Sequence, residues 1–272
     1  FLKRKRKKIL NLLKKNNGSY RDPAGEVYYY QNRIIRAVKK NGKKRYKFLK
    51  KNNLIEISIK NNFLVDSKEI NNKTENFEVK DAEYYLEHKK IEYISYPYEW
   101  GFFQLKDAAL HHLNFQIFLL KHGAVLIDAS AYNIQFQNNK PIFIDLLSID
   151  EYKNGDYWIG YHQFLKEFLN PLLLSSIKDI PFNNWYKGNL NGIYTEELNS
   201  ILSFKDKISL NIILHVVLLS KASKKLISNP KDVMEKFKNK KYLSKNSYMS
   251  ILLQLKKWIQ KLSPKIKKTT WE

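Results

Sequence analysis

The spacing of apolar residues changes near Trp100, from short strand-like runs to helical repeats. Before that point, EVYYYQ (26–31) and RIIRAV (33–38) carry β-branched and aromatic residues in short runs, which predicts a hairpin. An Asn-Gly turn is expected at 41–42, and residues 45–65 then repeat apolar positions at helical intervals. The front of the chain is therefore predicted to be strand-rich, with one helix.

Two further strands are expected in the mixed segment that precedes Trp100, at FEVKD (77–81) and IEYISYP (91–97). Beyond it, residues 102–123 repeat apolar positions every three to four residues and end in His-Gly, which predicts a long helix with a glycine stop. Two short apolar strands, in NIQFQ and IFIDLLS, then form a predicted hairpin around an Asn-Asn-Lys-Pro turn.

These patterns predict an α+β chain that is strand-rich in front and helical behind. Nearly everything from 157 to 225 is expected to be helical. The predicted parts are a basic amphipathic helix at 1–18, a β-rich lobe at 19–98, a helical lobe containing the hairpin at 99–230, and a Lys-rich helical tail at 231–272.

Lysine supplies most of the formal net charge of +23, and the chain contains no cysteine. Without cysteine there is no disulfide, no thiolate nucleophile and no cysteine-type zinc site. Recognition of phosphate and guanine favours arginine forks, so lysines spread along the whole chain argue against a dedicated nucleic-acid groove. The charge does favour attraction to anionic surfaces in general.

Residues 1–18 mix leucine and isoleucine with lysine and arginine, as a basic amphipathic helix does. Such a helix could touch an acidic membrane or an RNA backbone, or dock on its own domain. The segment lacks the apolar core of a secretory signal, and no apolar run approaches the roughly 20 residues that span a bilayer. We therefore expect a cytoplasmic protein, with peripheral membrane contact as an alternative.

Three oxygen-bearing side chains stand around the predicted hairpin: Asp128 before it, Asn133 five residues later, and Asp145 at its exit. Their order resembles that of protein-kinase-like phosphotransferases, including the aminoglycoside-phosphotransferase-like enzymes. The resemblance implies a two-lobed fold, with a small β-rich lobe and a larger helical lobe, that uses ATP and magnesium. It also implies that Asp128 orients the acceptor hydroxyl and that Asn133 and Asp145 bind the metal.

A plain structural explanation stands beside this one, because Asp and Asn are common turn formers. Asp128 could cap the turn through Ser130 while Asn133 starts a strand. Two features favour the functional hypothesis: the flanking strands are apolar enough to be buried, where an unpaired carboxylate is costly, and the surrounding helices follow the kinase order.

Several positions depart from the kinase pattern. Asp145 is followed by two leucines rather than Phe-Gly, and the expected phosphate-covering loop, YRDPAGEV, contains Gly25 alone. The phosphate-binding lysine has no clear counterpart, so Arg33 and Arg36 are the candidates, both expected on one side of their strand. Arg36 paired with Glu56 on the following helix would resemble the ion pair that positions the phosphates, or would be only a solvated surface pair.

The segment ISYPYEW lies where a kinase joins its lobes, so Tyr96 and Tyr98 are candidates for contact with adenine, although a rigid, packed linker is the simpler interpretation. The histidines at 111, 112, 122 and 162 are expected to be core or capping residues, because no second ligand lies at zinc spacing.

A second resemblance covers about residues 20–272 and rests on YRDPAGEVYYYQNRIIRAV, ISYPYEWGFFQLKDAALHHL, IDASAYNIQF, PIFIDLLSIDEY and YHQFLKEFLNPLLL. These stretches resemble the N-terminal region of a bacterial family of SAM-dependent methyltransferases, some of them named as relatives of nodulation proteins. The resemblance implies that a separate methyltransferase domain, which would bind SAM, follows the region resembling TTWE. The chain itself has no glycine-rich SAM loop.

Three functions remain open at this stage. The first is a phosphotransferase, active or inactive as a pseudokinase, that acts on a small-molecule or sugar hydroxyl, because no recognisable activation segment follows Asp145. The second is a non-catalytic kinase-like module that serves a methyltransferase domain. The third is a basic membrane- or RNA-binding protein in which the acids are only structural.

Overall fold

Strands β2 (Gly25–Tyr30) and β3 (Arg33–Lys39) form the hairpin that the sequence predicts. The structure is a computed structural model that describes residues 13–16, 22–71, 77–228 and 242–264. The chain divides into two compact units. Unit 1 comprises the chain up to Ile94 together with Gln135–Glu151, and unit 2 comprises Ser95–Ile134 together with the chain from Tyr152 onward.

Unit 1 is built on a five-stranded antiparallel sheet, to which β1 (Leu13–Lys15), β4 (Ser67–Ile70) and β5 (Ala82–His88) also belong. The strand order is β1-β2-β3-β5-β4. Together with the helices of both units, this sheet makes the chain an α+β protein, as predicted.

Three local predictions about this sheet are wrong. Leu13–Lys15 was expected at the end of a basic helix but pairs as a strand with β2, because Leu13 packs against the core of the sheet. The rest of the predicted helix at 1–18, except Asn16, lies outside the described residues. The segments 77–81 and 91–97 are not strands, and β4 and β5 pair instead.

Two helices, α1 (Lys40–Lys51) and α2 (Leu54–Lys60), replace the single helix predicted at 45–65. They are separated at Asn53, which adopts a left-handed conformation with φ 50°. Asparagine tolerates that conformation better than most residues, so it can end one helix and start the next at an angle.

The turn predicted at 41–42 is also wrong, because Gly42 lies in the first turn of α1. The reason for glycine is steric: a Cβ atom at Gly42 would lie 2.4 Å from the carbonyl oxygen of Ala24. Gly42 therefore lets the start of α1 pack against the backbone that leads into β2.

We expect Gly42→Ala to lower the free energy of unfolding by about 2 kcal/mol, since forcing an extra methyl into a packed site costs about 1–3 kcal/mol. Gly188→Ala is the matched control, because nothing lies within 4 Å of a Cβ placed there. That control should be neutral or slightly stabilising. Urea unfolding of both variants measures the difference, and equal stabilities would contradict the steric explanation.

The two faces of the sheet in unit 1 have different neighbours. One face carries a small core built on Ile35, Ala37, Phe77 and Tyr85. On the other face, Val38 and Leu86 are buried, and α1 packs beside β3. Successive side chains of β3 therefore face either the small core or the side of α1. This alternation determines which face of the sheet carries each of the two arginines of β3.

The hairpin β7 (Ile134–Gln137) and β8 (Lys140–Phe143) has its turn at Asn138 and Asn139, both with positive φ, as the sequence predicts. Phe143 exchanges backbone hydrogen bonds with the segment that follows α2, donating to Phe63 and accepting from Val65, each at 2.9 Å. These bonds anchor the hairpin within unit 1. It is followed by a 3₁₀ turn (Leu146–Ser148) and β9 (Ile149–Glu151).

The first long helix of unit 2 is the predicted one, α3 (Phe102–Lys121). It ends just before Gly123, and that glycine adopts a left-handed conformation. Strand β6 (Ala124–Leu126) follows, and a 3₁₀ turn (Ala131–Asn133) precedes β7. The later helices are α4 (Tyr161–Phe164), a π-helical turn (Leu165–Leu169), α5 (Asn170–Lys178), α6 (Asn183–Gly188), α7 (Thr195–Ile201), α8 (Leu210–Ile212), a second π-helical turn (Ile213–Val217), α9 (Leu218–Ser228) and α10 (Lys245–Lys261).

Residues 157–225 are thus mostly helical, but the helices are short and separated by loops. In the tail, α10 is described and residues 229–241 are outside the described set. Helix α10 packs on α3, where Gln116 donates to the Tyr248 hydroxyl at 2.7 Å. Within the described residues, no helix is both long and apolar enough to cross a membrane.

Candidate functional site

Residues 128–133, which we call the aspartate loop, connect β6 to β7 in unit 2. The Asp128 Oδ1 atom accepts a hydrogen bond from the Ser130 backbone N–H at 2.9 Å. The Ser130 hydroxyl in turn accepts from the Tyr132 N–H at 3.3 Å. The turn-capping role considered for Asp128 is therefore present, and it fixes the direction of a half-buried carboxylate that can still accept a hydrogen bond from a ligand.

Asn133 ends the aspartate loop with a buried amide. Its Nδ2 atom has no hydrogen-bond partner among the described residues. A buried donor without a partner costs about 1–3 kcal/mol. The same amide turned about its Cβ–Cγ bond would place an oxygen at that position, and an oxygen there is a suitable ligand for a hard cation.

Glu167 and Gln163 fasten the aspartate loop from the neighbouring helical segment. The Glu167 carboxylate accepts from the Ala131 N–H at 2.8 Å and from the Ser130 hydroxyl at 3.1 Å. Gln163 accepts from the Ala129 N–H at 3.0 Å. Glu167 lies in the π-helical turn Leu165–Leu169, and such turns in proteins are frequent at functional sites.

The Glu167 carboxyl is 4% exposed, and burial raises its pKa to about 7. Hydrogen bonds from Ala131, Gln163 and Ser130 oppose that rise, whereas the nearby charge of Asp128 adds to it. Near neutral pH, Glu167 can therefore hold or release a proton while it remains bonded to the loop.

Three tyrosines line the side of unit 2 next to this loop. Tyr96 stacks on Tyr98, with ring centroids 5.5 Å apart and planes 12° apart, and lies 6.5 Å from Tyr132. The Tyr96 N–H donates to Glu99, and the Tyr98 carbonyl accepts from Asn183 at 2.9 Å. These backbone groups are thus bonded within unit 2. Of the three rings, that of Tyr96 is exposed, whereas Tyr98 and Tyr132 are half-buried.

Arg36 is the centre of a second polar group, in unit 1, which we call the Arg36 cluster: Arg36, His88, Asp145 and Ser148. The guanidinium is 8% exposed. Its Nη1 donates to Asp145 Oδ1 at 2.8 Å, and its Nε donates to His88 Nε2 at 3.2 Å. The pair joins β3 to the exit of the β7–β8 hairpin.

His88 is neutral in this cluster, because burial and the Arg36 charge lower its pKa to about 3. Its Nε2 accepts from Arg36, so the proton of the neutral ring lies on Nδ1, which is 2.7 Å from the Ser67 hydroxyl. Ser67 in turn donates to the Val65 carbonyl at 2.8 Å. The chain of bonds holds the guanidinium in one orientation.

The Asp145 carboxylate accepts on both oxygens, because the Ser148 hydroxyl donates to Oδ2. A second acid, Asp22, lies 3.9 Å from Arg36 Nη1. Burial raises the pKa of Asp22, a hydrogen bond from the Ala24 N–H lowers it, and the Asp145 charge raises it further. Arg36 is thus the cation shared by two carboxylates.

Arg33 is placed on the opposite face of the sheet, so the expectation that both arginines face one side is wrong. Side chains alternate along a strand with a period of two, and a spacing of three puts Arg33 and Arg36 on different faces. Arg33 makes a two-point pair with Glu87, at 3.0 and 2.9 Å, and these bonds and its charge lower the Glu87 pKa.

Glu56 and Gly25 also differ from their expected roles. Glu56 lies on α2, as predicted, but it is exposed, and the buried Arg36 pairs with Asp145 rather than with it. Gly25 is the first residue of β2, not part of an open loop. A Cβ there would lie 2.7 Å from Leu147 Cδ1 and 3.8 Å from Arg36 Cγ, so this glycine permits close packing beside the Arg36 cluster.

The donor chemistry fits magnesium, for which Asp145 and Asn133 are the predicted ligands. Magnesium keeps several waters and takes one or two carboxylates besides substrate phosphates, so it needs no dense cluster of acids. The described ranges contain no group of three or more His, Asp or Glu side chains that could hold a metal. His112 lies buried among the rings of Trp158, Phe164 and Phe168, as a core histidine does.

Glu167 and His88 are among the residues of these groups that were not predicted from the sequence. Glu167 had a partial signal, because it is the single acid in the mainly apolar stretch from Phe164 to Leu174, where it follows Lys166. No sequence signal indicated His88, because its partners Arg36 and Ser67 come from β3 and β4, which are distant from it in the sequence.

A comparison with known proteins finds a relative of this chain. The nodulation protein NoeA of Rhizobium meliloti (strain 1021) is 35% identical over 256 residues, which are 94% of this chain and 53% of the relative. The chain therefore spans about half the length of the curated relative that it matches. No family model matches the chain.

Proposed function

We propose that the chain is a kinase-like phosphotransferase that moves the γ-phosphoryl group of ATP to a hydroxyl acceptor. The observation that carries the proposal is the buried contact between Arg36 on the third strand and Asp145 at the hairpin exit, 2.8 Å apart. A cation on that strand and an acid after that hairpin are the phosphate- and metal-binding elements of kinases. The proposal includes the two-lobed kinase-like arrangement of the fold.

In unit 1, Arg36 has the phosphate role. A guanidinium is planar and always charged, and its fork of N–H donors matches phosphate oxygens. His88 fixes its Nε and Asp145 its Nη1, so the side chain is already oriented before it meets an anion. Little side-chain entropy is then lost when a phosphate binds.

In unit 2, Asp128 has the acceptor role. Its carboxylate receives the hydroxyl proton as the acceptor oxygen bonds to the γ-phosphorus, while the bond from that phosphorus to the bridging oxygen breaks and ADP leaves. The Ser130 N–H holds one carboxylate oxygen in place, and Glu167 holds the loop that carries it. Asp128 therefore meets the acceptor from a fixed position.

Asp145 and Asn133 are the residues that would hold magnesium, and the ion would neutralise charge on the phosphate oxygens. Residues 152–160 are all that separate β9 from α4, which leaves little room for a protein-kinase activation segment. A small-molecule or sugar hydroxyl is therefore the proposed acceptor rather than a protein.

We expect ATP with magnesium, at about ten times its Kd, to raise the Tm by about 3–6 °C, because such saturation adds about 1.4 kcal/mol to a protein of this size. Asp145→Asn should abolish the shift, since the amide cannot bind the metal as a carboxylate does but can still accept from Arg36. Differential scanning fluorimetry, with and without magnesium, measures both.

Asp150→Asn is the matched control, because Asp150 is also an acid of unit 1 and is paired to an arginine, Arg45, at 2.9 Å. This variant should keep the full nucleotide shift. A wild-type Tm that does not change at millimolar ATP, or a shift that survives Asp145→Asn, would contradict the phosphotransferase proposal.

A second candidate is a non-catalytic kinase-like module that serves a methyltransferase domain. The observation that favours it is the length of the nodulation protein, of which the matched region is about half. The test is the reading frame beyond the codon for Glu272. A glycine-rich SAM loop encoded there, together with no response to ATP, would support the module over the enzyme.

A further inference from the structure

Large apolar side chains are exposed together along one stretch of unit 2. The members of this apolar strip are Phe204, Ile208, Leu210, Leu214 and Leu218, with exposed fractions of 86%, 65%, 68%, 44% and 48%. Single exposed apolar residues are ordinary on protein surfaces. A contiguous set of them instead marks a surface that a membrane or another molecule covers.

Three members of the strip form one face of a helical segment whose other face is already in the core, and Phe204 and Ile208 lie in the turns just before that segment. Leu210, Leu214 and Leu218 recur every four residues through α8, the second π-helical turn and the start of α9, so they share one side. The opposite side buries Ile212 and Val216. A helix that is apolar on both sides is one that is buried on both sides when it functions.

Lysines lie next to the members of this strip in the sequence. Lys205 and Lys207 flank Phe204 and Ile208, and Lys221 follows Leu218. The neighbouring α10 adds lysines next to Trp258, whose ring lies 5.7 Å from that of His215 in the same helical segment.

Negative charge is scarce on the segments that carry these lysines, although α7, which packs against this region, contributes Glu196 and Glu197. Across the described residues 203–223 and 242–264, the single acid is Asp206, and Lys178 pairs with it at 3.1 Å. The lysines around the strip are therefore not neutralised by carboxylates of their own segments.

We propose that the apolar strip docks on the surface of an anionic lipid bilayer. Its leucine, isoleucine and phenylalanine side chains enter the boundary between headgroups and acyl chains, and the lysines around it contact the anionic headgroups. A second copy of the chain is a poorer occupant, because a two-fold contact would place the strip and its lysines against identical lysines.

The 272-residue chain should sediment with vesicles of phosphatidylcholine and phosphatidylglycerol, and much less with vesicles of phosphatidylcholine alone. The net charge of +23 would give some binding by itself, so the decisive variant changes apolar contact and leaves charge unaltered. Leu210→Ser/Leu214→Ser should weaken partitioning onto the anionic vesicles about tenfold, and most clearly at high salt, where screening removes the purely ionic part.

Leu190→Ser/Leu253→Ser is the matched control, because both leucines are exposed in unit 2 but lie outside the strip. This variant should bind as the wild type does, and both should melt at the wild-type temperature. Three results would overturn the proposal: no sedimentation of the wild type with anionic vesicles, equal losses in the two double variants, or a wild-type dimer that only the strip variant dissociates.

Discussion

Arg36→Ala should lower the free energy of unfolding by about 3 kcal/mol, because removing one partner of a buried ion pair leaves the other charge without compensation. The guanidinium is 8% exposed and serves Asp145, Asp22 and His88 at once. Urea unfolding followed by circular dichroism measures the loss, which should come mainly from unit 1.

Arg33→Ala is the matched control on the same strand. Arg33 also pairs with a glutamate, but both side chains of that pair are partly exposed, at 27% and 20%, and exposed pairs contribute about 0–1 kcal/mol. A loss with Arg33→Ala as large as that with Arg36→Ala would contradict the distinction between the two faces of the sheet.

The double variant Arg36→Met/Asp145→Leu separates the cost of an unpaired charge from the value of the pair. Replacing a buried ion pair by apolar residues of similar volume is often neutral or stabilising. The double variant should therefore be more stable than Arg36→Ala and should give no nucleotide-dependent shift in Tm. Together these results would show that the Arg36 cluster is retained for a function and not for stability.

The sequence predicted the elements whose signal is local. The β2–β3 hairpin, the long helix α3 and the β7–β8 hairpin follow from alternation, from a helical repeat with a glycine stop, and from a turn of two asparagines. Each depends on residues close together in the chain, so pattern alone specifies it.

Elements that depend on distant partners were not predicted. Leu13–Lys15 is a strand because β2 offers an edge to it, and the glycine at position 42 serves the close packing of α1 against Ala24 rather than a turn. Neither partner can be read from the local pattern, and tertiary contacts override local propensity in such segments.

The candidate site shows the same division. The order Asp128, Asn133, Asp145 can be read from the amino-acid sequence, and the structure places the first two on one short loop. The partner of Arg36 was not visible, because Asp145 is 109 residues away, and the exposed Glu56 on the next helix was a nearer but incorrect choice. A spacing of three on a strand should, however, have separated Arg33 from Arg36 at once.

Glu167 should make stability depend on pH, with the largest contribution below pH 4.5 and its loss by about pH 7. The folded carboxyl has a pKa of about 7, against 4.5 ordinarily. Between these values the folded state binds one more proton than the unfolded state, so the free energy of unfolding falls as pH rises. The shift corresponds to about 3 kcal/mol.

Glu167→Gln should remove this dependence, because glutamine has nearly the same shape, cannot ionise and can still accept from the Ala131 N–H. The difference in unfolding free energy between wild type and variant, measured by urea titration from pH 4.5 to 7.5, cancels the other titrating groups. It should change by about 3 kcal/mol in favour of the variant as pH rises. A constant difference across that range would mean that Glu167 ionises normally in the folded protein, and that it holds the aspartate loop as a permanent anion rather than through a proton near neutral pH.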